Sequence, residues 1–205
     1  MAKLIWITPE AEDNILYCAR VSSNDQNSKN TKLLNYCIKH GHWSIFEMAN
    51  MCIEIETSRA ISAQILRHRS FSFQEFSQRY SKVAEIMEYP ARSQDLKNRQ
   101  NSIDDMAQED KDWFLKAQQD IAMKATNLYQ QALDKGVAKE QARMLLPMSS
   151  KTKLYMNGTV RSWIHYLNLR CGNGTQLEHQ QIAEDCKAIF SEQLPIVAQS
   201  LGWLE

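Results

Sequence analysis

No run of about 18 apolar residues occurs in this chain, so nothing in it reads as a transmembrane helix. Proline and glycine are scarce, at 4 and 6 of 205 residues, which excludes collagen-like structure and long low-complexity linkers. The five cysteines (Cys18, Cys37, Cys52, Cys171, Cys186) are odd in number, scattered, and include no Cys-x-x-Cys pair. Neither a disulfide framework nor a zinc knuckle is indicated, and reducing cytoplasm is the expected compartment. Charge of neither sign is in excess: 24 Lys and Arg balance 24 Asp and Glu. A chain that grips nucleic-acid backbone or an anionic membrane face by displacing counterions normally carries a basic excess, so neither partner is expected. The opening residues, Met1-Ala2-Lys3-Leu4-Ile5-Trp6-Ile7, lack the apolar core and cleavage site of a signal peptide and read as mature protein. What is present is 43% hydrophobic and 23% charged, an ordinary globular composition at a length that suits one domain over residues 1–205.

Residues 3–8 alternate and are rich in Ile and Trp, predicting a short strand; Thr8-Pro9-Glu10 then predicts an N-cap, a first-turn proline and a helix to about residue 20. Leu33, Leu34, Cys37 and Ile38 recur at helical spacing, with His40-Gly41 as the stop. Strict alternation over 51–57 predicts a strand with one polar face. Behind it Ser58 is a candidate cap for a helix carrying Ile61, Ile65 and Leu66 into Arg67-His68-Arg69. Residues 70–79 have no clean period and read as an ordered loop, and 90–101 as an exposed, turn-like excursion. A charged helical stretch over 103–135 stops at Gly136, and a short helix over 139–146 ends before Pro147. A strand is predicted near 153–156, then a helix over 159–169 capped by Thr159, then a helix toward Gln193 opened by a Thr175/Glu178 capping box. The fold class expected is α+β: a single helix-rich domain with a small, mostly antiparallel sheet.

The stretch Arg67-His68-Arg69-Ser70-Phe71-Ser72-Phe73-Gln74-Glu75-Phe76-Ser77-Gln78-Arg79 concentrates chemistry. Three cations at a helix end are in part explained by the negative end of the helix dipole. That does not account for Arg79, the Glu75 carboxylate or the Ser72 and Ser77 hydroxyls that follow. Guanidinium forks suit phosphate oxygens, while carboxylates and hydroxyls suit ribose and base edges, so the loop has the composition of a nucleotide site. His40-Gly41-His42 has no further Cys, His or carboxylate at a zinc-like spacing, so no metal is expected. Ser44 and Glu47 also have capping-box spacing. Arg143, on a short Met- and Leu-rich helix, reads by itself as an arginine stem lying over apolar core. Trp43, Trp163 and Trp203 read as core or subunit contacts.

Arg67-His68-Arg69, seven residues, then Ser77 resembles the signature of the flavin-dependent thymidylate synthases. Further segments resemble the family in its order: Ala19-Arg20-Val21-Ser22, His40 through Glu47, Ala142-Arg143-Met144-Leu145-Leu146-Pro147, Arg161-Ser162 and Leu167-Asn168-Leu169-Arg170. None of the five cysteines has the preceding proline and following histidine of the cysteine-dependent thymidylate synthases. The resemblance implies conversion of dUMP to dTMP with FAD as cofactor, methylenetetrahydrofolate as carbon donor and NADPH as reductant. It also implies a homotetramer whose subunits share each site.

Residue by residue, the resemblance assigns Ser22, His42 and Ser44 to FAD, together with the triplet Arg67, His68 and Arg69, with Glu75, and with Thr159, Val160, Arg161 and His165 on the later helix. It assigns dUMP to Gln64, Arg67, Glu75, Phe76, Ser77 and Gln78, with Arg79, Arg143 and Arg170. Arg170 is the expected catalytic residue, because a permanent cation beside the uracil ring favours loss of its N3 proton. Ser77 lacks an adjacent base and reads as a nucleotide ligand rather than a nucleophile. The chain departs from the family where asparagine stands two residues before the helix arginine in some members, a position held here by Thr159. It departs again at Gly174, where some members carry histidine. Two other readings compete: a non-catalytic nucleotide- or flavin-binding relative, and a nucleic-acid-binding module built on the 67–79 loop. Glu75 and the zero net charge argue against the second.

Overall fold

The computed structural model describes residues 1–82 and 85–204. β1 (Ala2–Ile7) turns into α1 (Ala11–Ala19), which starts later than the proline at position 9 predicts. Thr8 is not its cap: Thr8 Oγ1 accepts the Asn50 N–H at 2.9 Å, stapling the end of β1 to the next strand, and Glu10 takes a left-handed φ of 51° to turn the chain. α2 (Lys32–Lys39) stops at Gly41, whose φ of 69° only glycine adopts without strain. A 3₁₀ turn, Trp43–Glu47, replaces the helix start expected at Ser44, because Glu47 reaches Arg161 instead of folding back onto a cap.

β2 (Asn50–Ser58) runs into α3 (Arg59–Ile65) as predicted, yet Ser58 makes no capping hydrogen bond. Residues 70–79 are not wholly loop: β3 (Ser72–Glu75) pairs antiparallel along the later strand, an edge element whose conformation is imposed by its neighbour. The 90–101 excursion is organised by a small hairpin of β4 (Ser93–Gln94) and β5 (Ser102–Ile103). α4 (Gln108–Asp134) is one long helix, and the predicted short helix divides into α5 (Lys139–Ala142) and a 3₁₀ turn, Arg143–Leu145.

β6 (Lys151–Thr159) is longer than predicted and central. Thr159 then caps α6 (Val160–Arg170), accepting the Ser162 N–H at 3.2 Å. α7 (Leu177–Gln193) has Gln176, not Thr175, at its N-cap, and Glu178 is drawn away from any capping box by Arg92; α8 (Pro195–Ser200) closes the chain.

The sheet order is β1-β2-β6-β3, antiparallel throughout, which places the long central strands where both edges are paired. Met51, Ile53 and Ile55 of β2 and Leu154 and Met156 of β6 turn one face into the core, against Trp163, Ile164 and Leu167 of α6 and Phe190 of α7. The opposite face carries a cross-strand charge ladder in which Lys153 lies 3.2 Å from both Glu54 and Glu56. Gly158, next to the last residue of β6 and paired with Met51, is explained by close approach: a Cβ there would sit 2.5 Å from the Phe71 ring. The architecture is the α+β, helix-rich arrangement with a small antiparallel sheet that the sequence predicts.

Candidate active site

α3 ends at Ile65, so Arg67, His68 and Arg69 lie just past its C-terminus rather than inside it. Their chain is bent back by the Phe71 N–H donating to the His68 carbonyl, and Phe71 plugs into the core edge-on to Trp163 and Tyr166 at 5.0 and 5.8 Å. This anchor holds the His68 ring edge-on to Tyr166 at 4.8 Å, while Arg67 and Arg69 point into solvent. Among the described residues neither guanidinium makes an ion pair.

Arg170, the last residue of α6, meets this turn: its Nε donates to His68 Nε2 at 2.9 Å. That bond leaves the ring proton of His68 on Nδ1. Burial, the Arg170 cation and the Arg67 cation together push the His68 pKa down to about 4. His179 on α7 is wholly buried beside it, with Tyr166 Oη 3.1 Å from Nε2 and Gln64 Oε1 3.3 Å from Nδ1. Burial, then Arg170 and His68, hold His179 at about 4 as well.

These two histidines make the fold acid-sensitive. Above pH 6.5, their ordinary pKa, both states are neutral. Between 6.5 and 4 the unfolded chain binds protons that the folded chain refuses, so stability falls as pH drops through that window and levels off beneath it. We expect the melting temperature of the wild type to decline over this range and the decline to be smaller in His179→Gln. An identical pH profile for the two proteins would contradict the assignment.

A second group surrounds the start of α6. Arg161 pairs with Glu47, and His165 stacks edge-on against Trp43 at 5.1 Å. The 3₁₀ turn carrying His42 and Ser44 is thereby set beside Thr159, Arg161 and His165; both His42 and Ser44 are exposed. Val160, expected at FAD, is completely buried and its N–H donates to the Ala49 carbonyl at 2.9 Å, so the fold does not present it to a ligand. Burial and Arg161 lower the His165 pKa. Ser22 is exposed on the turn after α1.

Glu75, Gln78 and Arg143 line a groove of about 440 Å³ between β3, α3 and the 143–148 turn. Glu75 is held there by Arg59 Nη1 at 2.8 Å, by the Ser62 hydroxyl, and by Thr152 Oγ1 at 3.0 Å. Arg59 also donates to the Phe76 carbonyl, and Phe76 is partly buried. Ser77 Oγ accepts the Arg79 N–H at 3.3 Å and heads a turn. Arg79 lies 3.4 Å from Glu140, whose carbonyl receives Arg143 Nε. Arg59, Ser62, Thr152, Tyr166 and His179 carry no weight in the sequence reading. For Arg59 a signal exists: a cation in the first turn of a helix opposes the dipole and needs a local carboxylate to offset it.

Cys37, Cys52, Cys171 and Cys186 are not primed for attack. Burial pushes Cys171 up to about 12, with Glu184 reinforcing it, and burial raises Cys37, Cys52 and Cys186 also.

Residues 3–196 match the family described as thymidylate synthase complementing protein. A flavin-dependent thymidylate synthase from Synechocystis sp. is 56% identical over 193 residues, 94% of this chain and 90% of the relative. A probable flavin-dependent thymidylate synthase from Paramecium bursaria Chlorella virus 1 is 51% identical, with 99% of each chain covered. Among solved structures, the UMP/dUMP methylase PolB from Streptomyces cacaoi, bound with 5-Br dUMP, superposes with a TM-score of 0.88 over 98% of this chain and 94% of its own. At 23% identity that likeness establishes the shared fold. Among the described residues no helix is long and apolar enough to cross a membrane.

Proposed function

This chain belongs to the flavin-dependent thymidylate synthases, and from that premise we propose how its residue clusters divide the work of the reaction. The enzyme makes dTMP from dUMP with FAD as cofactor, and methylenetetrahydrofolate and NADPH are the usual co-substrates. When bound, FAD supplies the reducing power that the transferred carbon needs to become a methyl group. The donor set fits such a group: Arg67 and Arg69 offer exposed guanidiniums to a pyrophosphate, and His42, Ser44, Arg161 and His165 form a polar rim beside the half-buried Trp43.

The dUMP site in this reading combines the Glu75, Gln78 and Arg143 groove with Gln64 and Arg170, which lie outside its lining. Arg143 suits the phosphate, and the Arg59-anchored Glu75 is a fixed acceptor for nucleotide hydroxyl or N–H groups. Arg170 stabilises the deprotonated uracil ring. The single observation carrying this reading is the Arg170–His68 bond, which ties the signature triplet to the end of α6 and leaves a neutral histidine there in place of a competing cation. Of the residues assigned to FAD, Glu75 alone lines the nucleotide groove, which supports a site completed by neighbouring copies in a homotetramer. We take residues 1–205 as one domain and place the enzyme in the cytoplasm, where its five free cysteines stay reduced.

Ser77 is a ligand in this scheme. Its hydroxyl is occupied by the turn N–H of Arg79 and has no imidazole partner, so Ser77→Ala is expected to retain measurable turnover with weaker dUMP binding. Complete loss of turnover with intact dUMP binding would instead make Ser77 the nucleophile.

A further inference from the structure

Gln64, one of the residues placed at dUMP, is the middle of a polar chain that runs from buried His179 through half-buried Gln64 and exposed Gln176 to buried Glu178. Gln64 Nε2 donates to Gln176 Oε1 at 2.6 Å, and Gln176 Nε2 donates to Glu178 Oε2 at 2.8 Å. Glu178 is 10% exposed and paired with the equally buried Arg92, delivered by the segment leading into the β4–β5 hairpin. Burial disfavours the charged carboxyl, but Arg92 and Gln176 outweigh it and hold Glu178 below the usual carboxylate range. An ionised carboxylate only accepts hydrogen bonds, so the polarity of every amide behind it is set. Gln176 must turn its NH₂ toward Glu178 and its oxygen toward Gln64. Gln64 must then turn its own NH₂ toward Gln176 and its oxygen toward His179, whose Nδ1–H donates and whose Nε2 accepts the Tyr166 hydroxyl.

We propose that Glu178, clamped by Arg92 and acting through Gln176, is a positioning residue that fixes the orientation of the Gln64 amide toward dUMP. This rests on the assignment of Gln64 to the nucleotide site. It also gives a task to the excursion at 90–101: it delivers the arginine that keeps the carboxylate charged.

The test uses the FAD-loaded enzyme and three variants. Gln176→Met cuts the chain while sparing the Arg92–Glu178 pair. Its KM and Kd for dUMP are expected to rise about tenfold, the size of one neutral hydrogen bond, with kcat, FAD affinity and melting temperature unchanged. Glu178→Gln frees the amides to reverse and is expected to weaken dUMP similarly. The double variant Gln176→Glu/Glu178→Gln moves the obligate acceptor one step nearer to Gln64 and is expected to recover most of the lost affinity. Wild-type dUMP affinity in Gln176→Met would overturn the proposal. So would a parallel loss of FAD binding and melting temperature in that variant, which is the mark of a purely structural contact. If Glu178→Gln fails to fold, Gln176→Met still decides. A wild-type enzyme that binds FAD but not dUMP would refute the nucleotide-site assignment itself, a result distinct from either of these.

Discussion

Arg170→Ala is expected to keep its flavin and lose dUMP-dependent turnover by about two to three orders of magnitude, the scale for removing a preorganised charge from a reaction centre. Arg170 is rigidly placed: it closes α6, and its Nε is spent on His68, which leaves the outer guanidinium nitrogens to face a ligand. A uracil ring losing its N3 proton gains negative charge, and a cation that never deprotonates lowers the cost of that charge throughout the reaction. Removing it also removes a cause of the depressed histidine pKa values, so His68 and His179 should titrate closer to 6.5 in the variant. Arg170→Lys is expected to rescue only a small part, because an ammonium cannot hold His68 and present two further donors in one plane. Anaerobic single-turnover measurements with dUMP on the flavin-loaded variants check this, and near-wild-type turnover in Arg170→Ala would refute the role.

Trp163→Ala is expected to destabilise the protein by about 3–5 kcal/mol, the range for truncating a buried aromatic. Trp163 is completely buried, its Nε1 donates to the Met51 carbonyl at 2.9 Å, and its ring meets Phe71 and Tyr166 edge-on at 5.0 and 5.8 Å. The loss therefore combines a cavity, one lost hydrogen bond to the strand backbone and two aromatic contacts. Phe71 and Tyr166 are also what hold the His68 ring, so the damage extends from core to site. Chemical denaturation measures the cost directly. Trp163→Phe, which refills most of the volume but lacks the N–H to Met51, should recover a large part of it. A cost below about 1 kcal/mol for the alanine variant would contradict the packing described.

Local signals carried much of this structure. The 51–57 alternation, the Thr159 cap and the Gly41 and Gly136 stops all sit where the sequence places them, because each depends on neighbours within a few residues. Misplaced boundaries arise where a distant partner wins. Thr8 answers Asn50 instead of its own helix, Glu47 answers Arg161, and Glu178 answers Arg92. Short β3 has no propensity that distinguishes it from loop, and only the presence of β6 makes it a strand.

The site divides in the same way. The cations of the signature triplet are visible in sequence because their density is unusual, but what keeps His68 neutral is its burial and then Arg170, 102 positions away. The Arg59–Ser62–Thr152 clamp on Glu75 is likewise assembled from three separate elements. Spacing within a motif identifies the groups that face ligands, whereas the groups that tune them come from elsewhere in the fold.

The zero net charge coexists with the Arg67 and Arg170 guanidiniums gathered about His68, and a local field of that kind is what gathers anionic ligands. The direct measurement of the central claim is product formation by the purified protein, reconstituted with FAD and supplied anaerobically with dUMP, methylenetetrahydrofolate and NADPH. The account predicts a flavin absorption spectrum, bleaching by NADPH, and dTMP formed in proportion to NADPH oxidised, all dependent on dUMP and folate for turnover. A protein that binds no flavin after reconstitution, or one that binds flavin and dUMP yet forms no dTMP, would contradict it.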